Sequence, residues 1–429
     1  MNRFSRSLVQ CGLLLSLLSS TLVRADGTPE DARLPIEELQ LFVQVFEQIR
    51  AAYVEEIDDK TLIENAISGL LGELDPHSAF LKKASYKNLQ EHTRGQFGGI
   101  GIEVGMEDGF IKVISPIDDT PASHAGIEAG DLIIKLDNHA VQGMSLEESL
   151  EIMRGEKGTP LTLTIARDNM DSPLIITVIR DIIKTTSVHH KVLEEGFGYI
   201  RIAQFQDNTG KEFRQSIEAL LKGKSPLLGL IVDLRNNPGG LLPASVDVAD
   251  AMLDGGLVVY TEGRAPSANT RFSAQAGALL KDTPLVILIN GGTASASEIV
   301  AGAIQDHHRG VIMGTGSFGK GSVQNILPLR DGRAIKLTTA RYFTPEGRSI
   351  QAEGIQPDIW VERAELKRST SQRPGIKEAD LSGHLSQNTR KDPATKPLKH
   401  RIDIKDYQLL EALNLLKGLA ILSQQSTIN

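Results

Sequence analysis

Cysteine is almost missing: Cys11 is the only one among 429 residues. It lies in a stretch that reads as a removable leader, so a mature chain would hold no disulfide, thiol nucleophile or cysteine-bound metal. Long apolar runs are missing as well, apart from one at the very start. There Arg3 and Arg6 precede an apolar stretch from Leu8 to Leu22, and Val23-Arg24-Ala25 follows. The run is short for a bilayer span and has the layout of a secretory signal peptide, with cleavage expected after Ala25. Gln10 stands where a lipidated cysteine would need a small residue before it. A basic surplus is lacking: 46 Lys and Arg face 54 Asp and Glu, a net charge of −8. Loss of Arg3, Arg6 and Arg24 with the leader would take this to −11. A chain this acidic, without a basic block, is a poor partner for nucleic acid. No histidine–glutamate helix pattern or other metal-ligand spacing occurs, and no glycine loop ends in the Gly-Lys-Ser/Thr of a phosphate loop. No metal or other cofactor is therefore expected.

What remains is a soluble globular composition, 40% apolar and 23% charged, which argues against a disordered or multi-span chain. Its length suits two or three domains. Leu39, Phe42, Val43 and Phe46, then Leu62, Ala66, Ile67, Leu70 and Leu71, recur at helical spacing. Pro76 in Leu74-Asp75-Pro76-His77-Ser78 stops the second helix. His77 serves equally well as a turn residue and is not assigned to a site. From 95 the chain changes character. Gly95, Gly98, Gly99, Gly101 and Gly105 crowd together, and strands are expected at Phe110–Ile114, Leu132–Leu136 and Leu161–Arg167. Helices are expected at Ser123–Ala125 and Ser145–Met153.

Beyond 173, near-continuous apolar runs at Tyr199–Phe205, Leu227–Leu234 and Leu285–Asn290 read as strands buried on both faces. Between and after them Lys211–Leu221, Pro243–Leu253 and Ser295–Asp306 read as helices, giving a layered α/β core. A polar, proline-containing segment at 366–400 leads to an amphipathic helix, Tyr407–Leu422, with Leu409, Leu413, Leu416 and Ala420 on one stripe. The boundaries expected are 1–25 for the leader, 26–94 for the N-terminal helices, 95–170 and 171–362 for the two domains, and 363–429 for the linker and last helix, whose stripe is expected to serve oligomerisation.

Chemistry concentrates in Asn290-Gly291-Gly292-Thr293-Ala294-Ser295-Ala296-Ser297-Glu298, which follows a buried strand and opens a helix. A serine at such a turn is exposed at the sheet edge, where unpaired helix N–H groups can stabilise an oxyanion. It can also be a plain N-cap. Ser295 and Ser297 compete for the nucleophile on these grounds alone. Glu298 reads as a first-turn acid that favours the helix dipole. A serine nucleophile needs a base. His189-His190 and His307-His308 lie in exposed or helix-end contexts without a carboxylate. Lys320, between Gly319 and Gly321 in an apolar neighbourhood, is the better candidate, because burial can hold a lysine neutral. Gln324 can orient the amine without adding a charge that would keep it protonated.

Two resemblances extend this reading. Gly98-Gly99-Ile100-Gly101-Ile102, Pro121-Ala122, Ala125-Gly126-Ile127 and Ala129-Gly130-Asp131-Leu132-Ile133 resemble a PDZ domain. That resemblance implies a carboxylate-binding loop at Gly98, Gly99, Ile100, Gly101 and Ile102, and a strand edge that pairs with a peptide. The chain between 35 and 360 resembles the carboxyl-terminal processing, or tail-specific, proteases. The resemblance is carried by Leu74–Ser78, by Asp233-Leu234-Arg235-Asn236-Asn237-Pro238-Gly239-Gly240-Leu241, by Gly292–Glu298 and by Phe318–Gln324. It implies Ser295 as nucleophile, Lys320 as base and Gln324 as its orienting partner, with oxyanion donors at Ala296 and the Gly239-Gly240 turn. It also implies a crotonase-like α/β core with an inserted PDZ domain and helical ends. An exported, periplasmic homo-oligomer is then expected, which recognises protein substrates by their C-terminal tails and in some relatives needs an activating adaptor protein. Two other classes fit parts of this: a crotonase-like thioester enzyme, and an inactive scaffold that only holds tails.

Overall fold

A computed structural model describes residues 34–364 apart from 118, 168, 169 and 171, together with 381–382 and 405–426. The expected leader and most of the polar linker lie outside the described residues. Two compact units are divided between Gly69 and Leu70. The first contains α1 (Ile36–Ala52) and most of α2 (Asp59–Gly72). Asp58 opens α2 by accepting from the N–H and the hydroxyl of Thr61, at 3.0 and 2.6 Å. No residue of α1 is buried, and Leu39, Phe42 and Val43 stand exposed.

The second unit opens with β1 (Ala79–Leu81), α3 (Lys83–Arg94) and β2 (Gln96–Gly99). A small β domain follows, built from β3 (Ile102–Glu107), β4 (Phe110–Pro116), α4 (Pro121–His124), β5 (Leu132–Leu136), β6 (His139–Ala140), α5 (Leu146–Met153), β7 (Pro160–Ala166) and β8 (Leu174–Ile179). Ser145 caps α5 reciprocally with Glu148. The strand order is β3-β4-β5-β7-β8, so β3 is an edge. The expected boundary at 170 cuts the β7–β8 hairpin, where Leu161 pairs with Val178 and both are buried, so the domain runs on to Ile179. β9 (Asp181–Lys184) then pairs antiparallel with β2, and these two strands carry the chain in and out of the small domain.

The larger domain contains β10 (Val188–Glu194), β11 (Phe197–Ile202), α6 (Thr209–Leu221), β12 (Gly229–Asp233), α7 (Leu242–Asp250), β13 (Gly256–Gly263), β14 (Thr270–Ala274), β15 (Leu285–Ile289), α8 (Ala296–Asp306), β16 (Val311–Gly314), β17 (Ser322–Pro328), β18 (Ala334–Phe343), β19 (Ile359–Trp360) and α9 (Tyr407–Ser426). Its main sheet has the order β10-β11-β12-β15-β16-β19, parallel from β11 onward. Side chains alternate across such a strand, and the alternation shows why these runs are apolar throughout. Leu230 and Val232 of β12, with Leu285, Ile287 and Ile289 of β15, pack in one core with residues of α6, α7 and α8. Ile231, Val286 and Leu288 face the opposite way, into a second core with Leu409, Leu413, Leu416 and Ala420 of α9.

The last helix thus corrects an expectation. Its stripe was expected to serve oligomerisation, but it covers the open face of its own sheet, where each buried leucine is worth about 1.5–3 kcal/mol. Arg235, just past β12 and braced by Asp233, fastens the start of α9 through Asp406 and Gln408. An antiparallel second sheet, β1-β18-β13-β14 with β17 beside β18, was not anticipated.

Candidate active site

The turn between β15 and α8 is bound tightly from below. Asn237 accepts the Ala294 N–H at 3.0 Å and the Ser297 hydroxyl at 3.1 Å on its backbone oxygen. Asn236 and Asn290 exchange two hydrogen bonds, from Asn236 N–H at 2.8 Å and from the Asn290 amide at 2.9 Å. Ser295 is thereby held at φ 56° and ψ −115°. A left-handed backbone at a non-glycine residue costs about 1–3 kcal/mol, and such strain collects where a side chain must be aimed. Ser295 remains 7% exposed, whereas Ser297 is wholly buried with its hydroxyl committed to Asn237.

Gly239 abuts this serine. A Cβ there would stand 2.7 Å from the Ala294 oxygen and 2.8 Å from the Ser295 Cβ, so only glycine fits. Its own N–H donates to Asn237 Oδ1 at 2.9 Å, which removes it from the expected oxyanion donors. Among the described residues the N–H groups of Gly240 and Ala296 have no hydrogen-bond partner.

Glu298 joins the serine to the lysine. It is fully buried. Its Oε2 accepts the N–H of Ser295 at 2.7 Å and that of Lys320 at 2.9 Å. Its Oε1 accepts the N–H of Gly319 at 2.7 Å and the hydroxyl of Ser317 at 2.5 Å. Reading the sequence gave this residue only a dipole role. The Ser-x-x-Glu spacing was a signal for a reciprocal cap, but three of its partners are backbone N–H groups, which leave no trace in a sequence.

Lys320 is half-buried. Burial, then the charge of Lys336, lowers its pKa, while Glu298 and Asp75 pull the other way. Among the described residues its ammonium hydrogen-bonds neither Ser295 nor Gln324. Gln324 donates instead to the hydroxyls of Ser322, at 2.9 Å, and Thr338, at 3.3 Å. The structure therefore brings the backbones of Ser295 and Lys320 to one oxygen atom without joining their side chains. The turn at Asp75–Ser78 stands nearby: burial, then the Lys320 charge, lowers the pKa of His77. Of the paired histidines, His190 lies beside Ser216 and His307 on the Leu257 oxygen.

In the small domain, Gly98 and Gly99 lie in the ladder with Ile182 and Asp181, so the turn proper is Ile100-Gly101. The Ile100 side chain is buried in the domain core and its oxygen accepts from Ala122 N–H at 2.9 Å. Gly101 has φ +81°, with Thr120 so close that a Cβ would meet it at 2.4 Å. Ile102 then starts the edge strand β3.

Comparison with known proteins gives the family. Peptidase family S41 matches residues 196–361, a PDZ domain matches 98–178, and the activating protease CtpB N-terminal domain matches 18–85. A carboxy-terminal-processing protease of Bartonella bacilliformis is 46% identical over 413 residues, 95% of this chain and 94% of its own length. The carboxy-terminal processing protease CtpA of Bacillus subtilis is 34% identical over 321 residues, 74% of this chain and 68% of its own. Among solved structures, a photosystem II D1 C-terminal processing protease aligns with 76% of this chain and 93% of its own, at 31% identity and a TM-score of 0.45. The chain belongs to peptidase family S41, as a carboxyl-terminal processing serine protease with a mixed α/β fold and a PDZ domain.

Proposed function

We propose that Ser295 is the nucleophile and neutral Lys320 its base, in a dyad that cleaves peptide bonds of exported proteins. One observation carries the reading: a single oxygen of buried Glu298 accepts the N–H of both residues. The Ser295 hydroxyl gives its proton to the Lys320 amine as its oxygen adds to the scissile carbonyl. The N–H groups of Ala296 and Gly240 receive the oxyanion, in a site where such donors gain most from being fixed in advance. The C–N bond then breaks, and the leaving amine takes the proton from the Lys320 ammonium. Water, deprotonated by Lys320, attacks the acyl ester, and its collapse frees the new C-terminus and restores Ser295. Gln324 orients the amine. Activity of purified Ser295→Ala, Ser297→Ala and Lys320→Arg variants on an unfolded protein tests this. The first and third should be inactive with unchanged melting, since a guanidinium cannot act as base, and the second should keep a substantial part. An active Lys320→Arg, or equal mild losses at the two serines, overturns it.

The same reading makes the PDZ domain the receptor for apolar C-terminal tails, with a tail carboxylate at the Ile100-Gly101 turn and its backbone along the free edge of β3. The core layers, a parallel sheet between helices, support a crotonase-like relationship. Export to the periplasm, with cleavage after Ala25, rests on the charge and apolar pattern of the first 25 residues. Assembly into a homo-oligomer is assigned to the N-terminal helices, whose exposed Leu39, Phe42 and Val43 favour a second copy. An activating adaptor protein completes the proposal by analogy with relatives.

A further inference from the structure

An amide that turned its NH2 toward Lys320 would occupy the lone pair a base requires, so the orientation of Gln324 matters. Ser322, the nearer partner on its own strand, does not fix it, because a hydroxyl both donates and accepts. Thr338 does. It is the register partner of Gln324 on β18. Its hydroxyl lies 3.1 Å from Asp75 Oδ1 and 3.3 Å from Gln324 Nε2. An ionised carboxylate only accepts, so Thr338 must donate to Asp75, and its lone pair is left for an amide N–H. The Gln324 carbonyl oxygen then points away from Thr338 and has no partner among the described residues.

Asp75 is itself firmly placed. Its Oδ1 accepts the N–H groups of His77 and Ser78 at 2.8 and 3.0 Å, and its Oδ2 accepts the Ser78 hydroxyl at 2.6 Å. That hydroxyl in turn accepts the Thr338 N–H at 3.1 Å. Two atoms of Thr338 therefore clamp the turn to β18.

We propose that Asp75 is a positioning residue of the active site, acting through Thr338 to hold Gln324 with its carbonyl oxygen available to Lys320. The inference rests on Lys320 as the base. Burial opposes the Asp75 charge, but hydrogen bonds led by that from Ser78 outweigh it and keep the carboxyl below its usual range. The polarity of the relay is thus fixed at neutral pH. The titratable groups around Lys320 are Lys336, on the same face of β18 as Thr338, Glu298 from α8, and Asp75 and His77 from the turn. Without the Asp75 charge, one of the two carboxylates that favour the ammonium is gone, and Lys320 titrates lower.

The test is steady-state cleavage of a fluorogenic peptide with an apolar C-terminus by the full chain, as a function of pH. Asp75→Asn should lower kcat about tenfold to a hundredfold, the cost of a misplaced catalytic group, with KM little changed. Its acid limb should move to lower pH. Thr338→Val should lose kcat similarly with a smaller displacement of the limb, and Thr338→Ser, which keeps the hydroxyl, should retain most of the rate. If Asp75→Asn fails to fold, the Thr338 pair carries the test alone. Wild-type kcat and limb in Asp75→Asn, or equal damage from serine and valine at 338, overturns the inference. An active Lys320→Ala would overturn the dyad and this relay together. Inactive Lys320→Ala beside an unaffected Asp75→Asn would remove the relay only.

Discussion

Replacing Glu298 with glutamine keeps size and shape but turns one acceptor oxygen into an NH2 donor. In the structure each of its oxygens meets two donors, Ser295 and Lys320 N–H on one side and Gly319 N–H and Ser317 hydroxyl on the other. Whichever way the amide turns, two donors must face a donor. A buried group left unsatisfied costs about 1–3 kcal/mol, which makes roughly 2–6 kcal/mol for the pair. The Ser317 hydroxyl can relieve one conflict by rotating, since it keeps a lone pair beside the one that accepts the Ile355 N–H at 2.7 Å, but its own hydrogen then loses the Glu298 acceptor, so rotation passes the deficit on. At about 2–4 °C per kcal/mol for a domain of this size, Glu298→Gln should melt roughly 5–20 °C lower. Cleavage should fall further than stability does, because the loops that carry nucleophile and base lose their common oxygen. Calorimetry for the melting point, and kcat measured well below it, separate the two effects. A variant that melts within about 1 °C of wild type and keeps its kcat would refute the reasoning.

Other outcomes follow from the same geometry. Lys336→Met removes a charge that lowers the Lys320 pKa, so the lysine should titrate higher and the acid limb of the cleavage profile should shift to higher pH. Leu413→Ala should cost about 2–5 kcal/mol by urea unfolding, because the side chain is buried between α9 and the sheet. Burial raises the Asp406 pKa, but hydrogen bonds and charge from Arg235 outweigh it and the net shift is downward. The pair therefore contributes stability at neutral pH that is lost as pH falls through the folded-state pKa, and Asp406→Asn should flatten that acid-side loss. Gly101→Ala forces a Cβ onto Thr120 at positive φ, and should weaken anisotropy-detected binding of an apolar tail peptide at least tenfold, about 1.4 kcal/mol.

The parallel core was legible because strands covered on both faces must be apolar at every position, as Leu285–Ile289 are. The second sheet was not. β18 mixes Lys336, Thr338 and Thr339 with Ile335 and Leu337, because part of it lines the polar site, and the resulting pattern resembles neither a buried nor a simple two-faced strand. The stripe of α9 announced that it needs a surface without saying which one. The residue that decides, Arg235, is 171 positions from Asp406. Ser295 and Lys320 stood out through their glycine-rich settings. Asp75 and Glu298 did not, since most of their partners are backbone groups or residues far along the chain.

Arg235 and Gly239 are only four residues apart, yet one holds α9 and the other lies against Ser295. During synthesis the ribosome reaches Tyr407 after every strand that α9 covers, and the arginine has to wait for its distant aspartate. Until then the Arg235 side chain holds only Asp233, and the segment that leads on to the serine turn lacks one of its supports. The protease should therefore gain its activity late, close to the moment when its last helix docks. A nascent or clipped chain that stops short of Asp406 is then expected to be a weak enzyme.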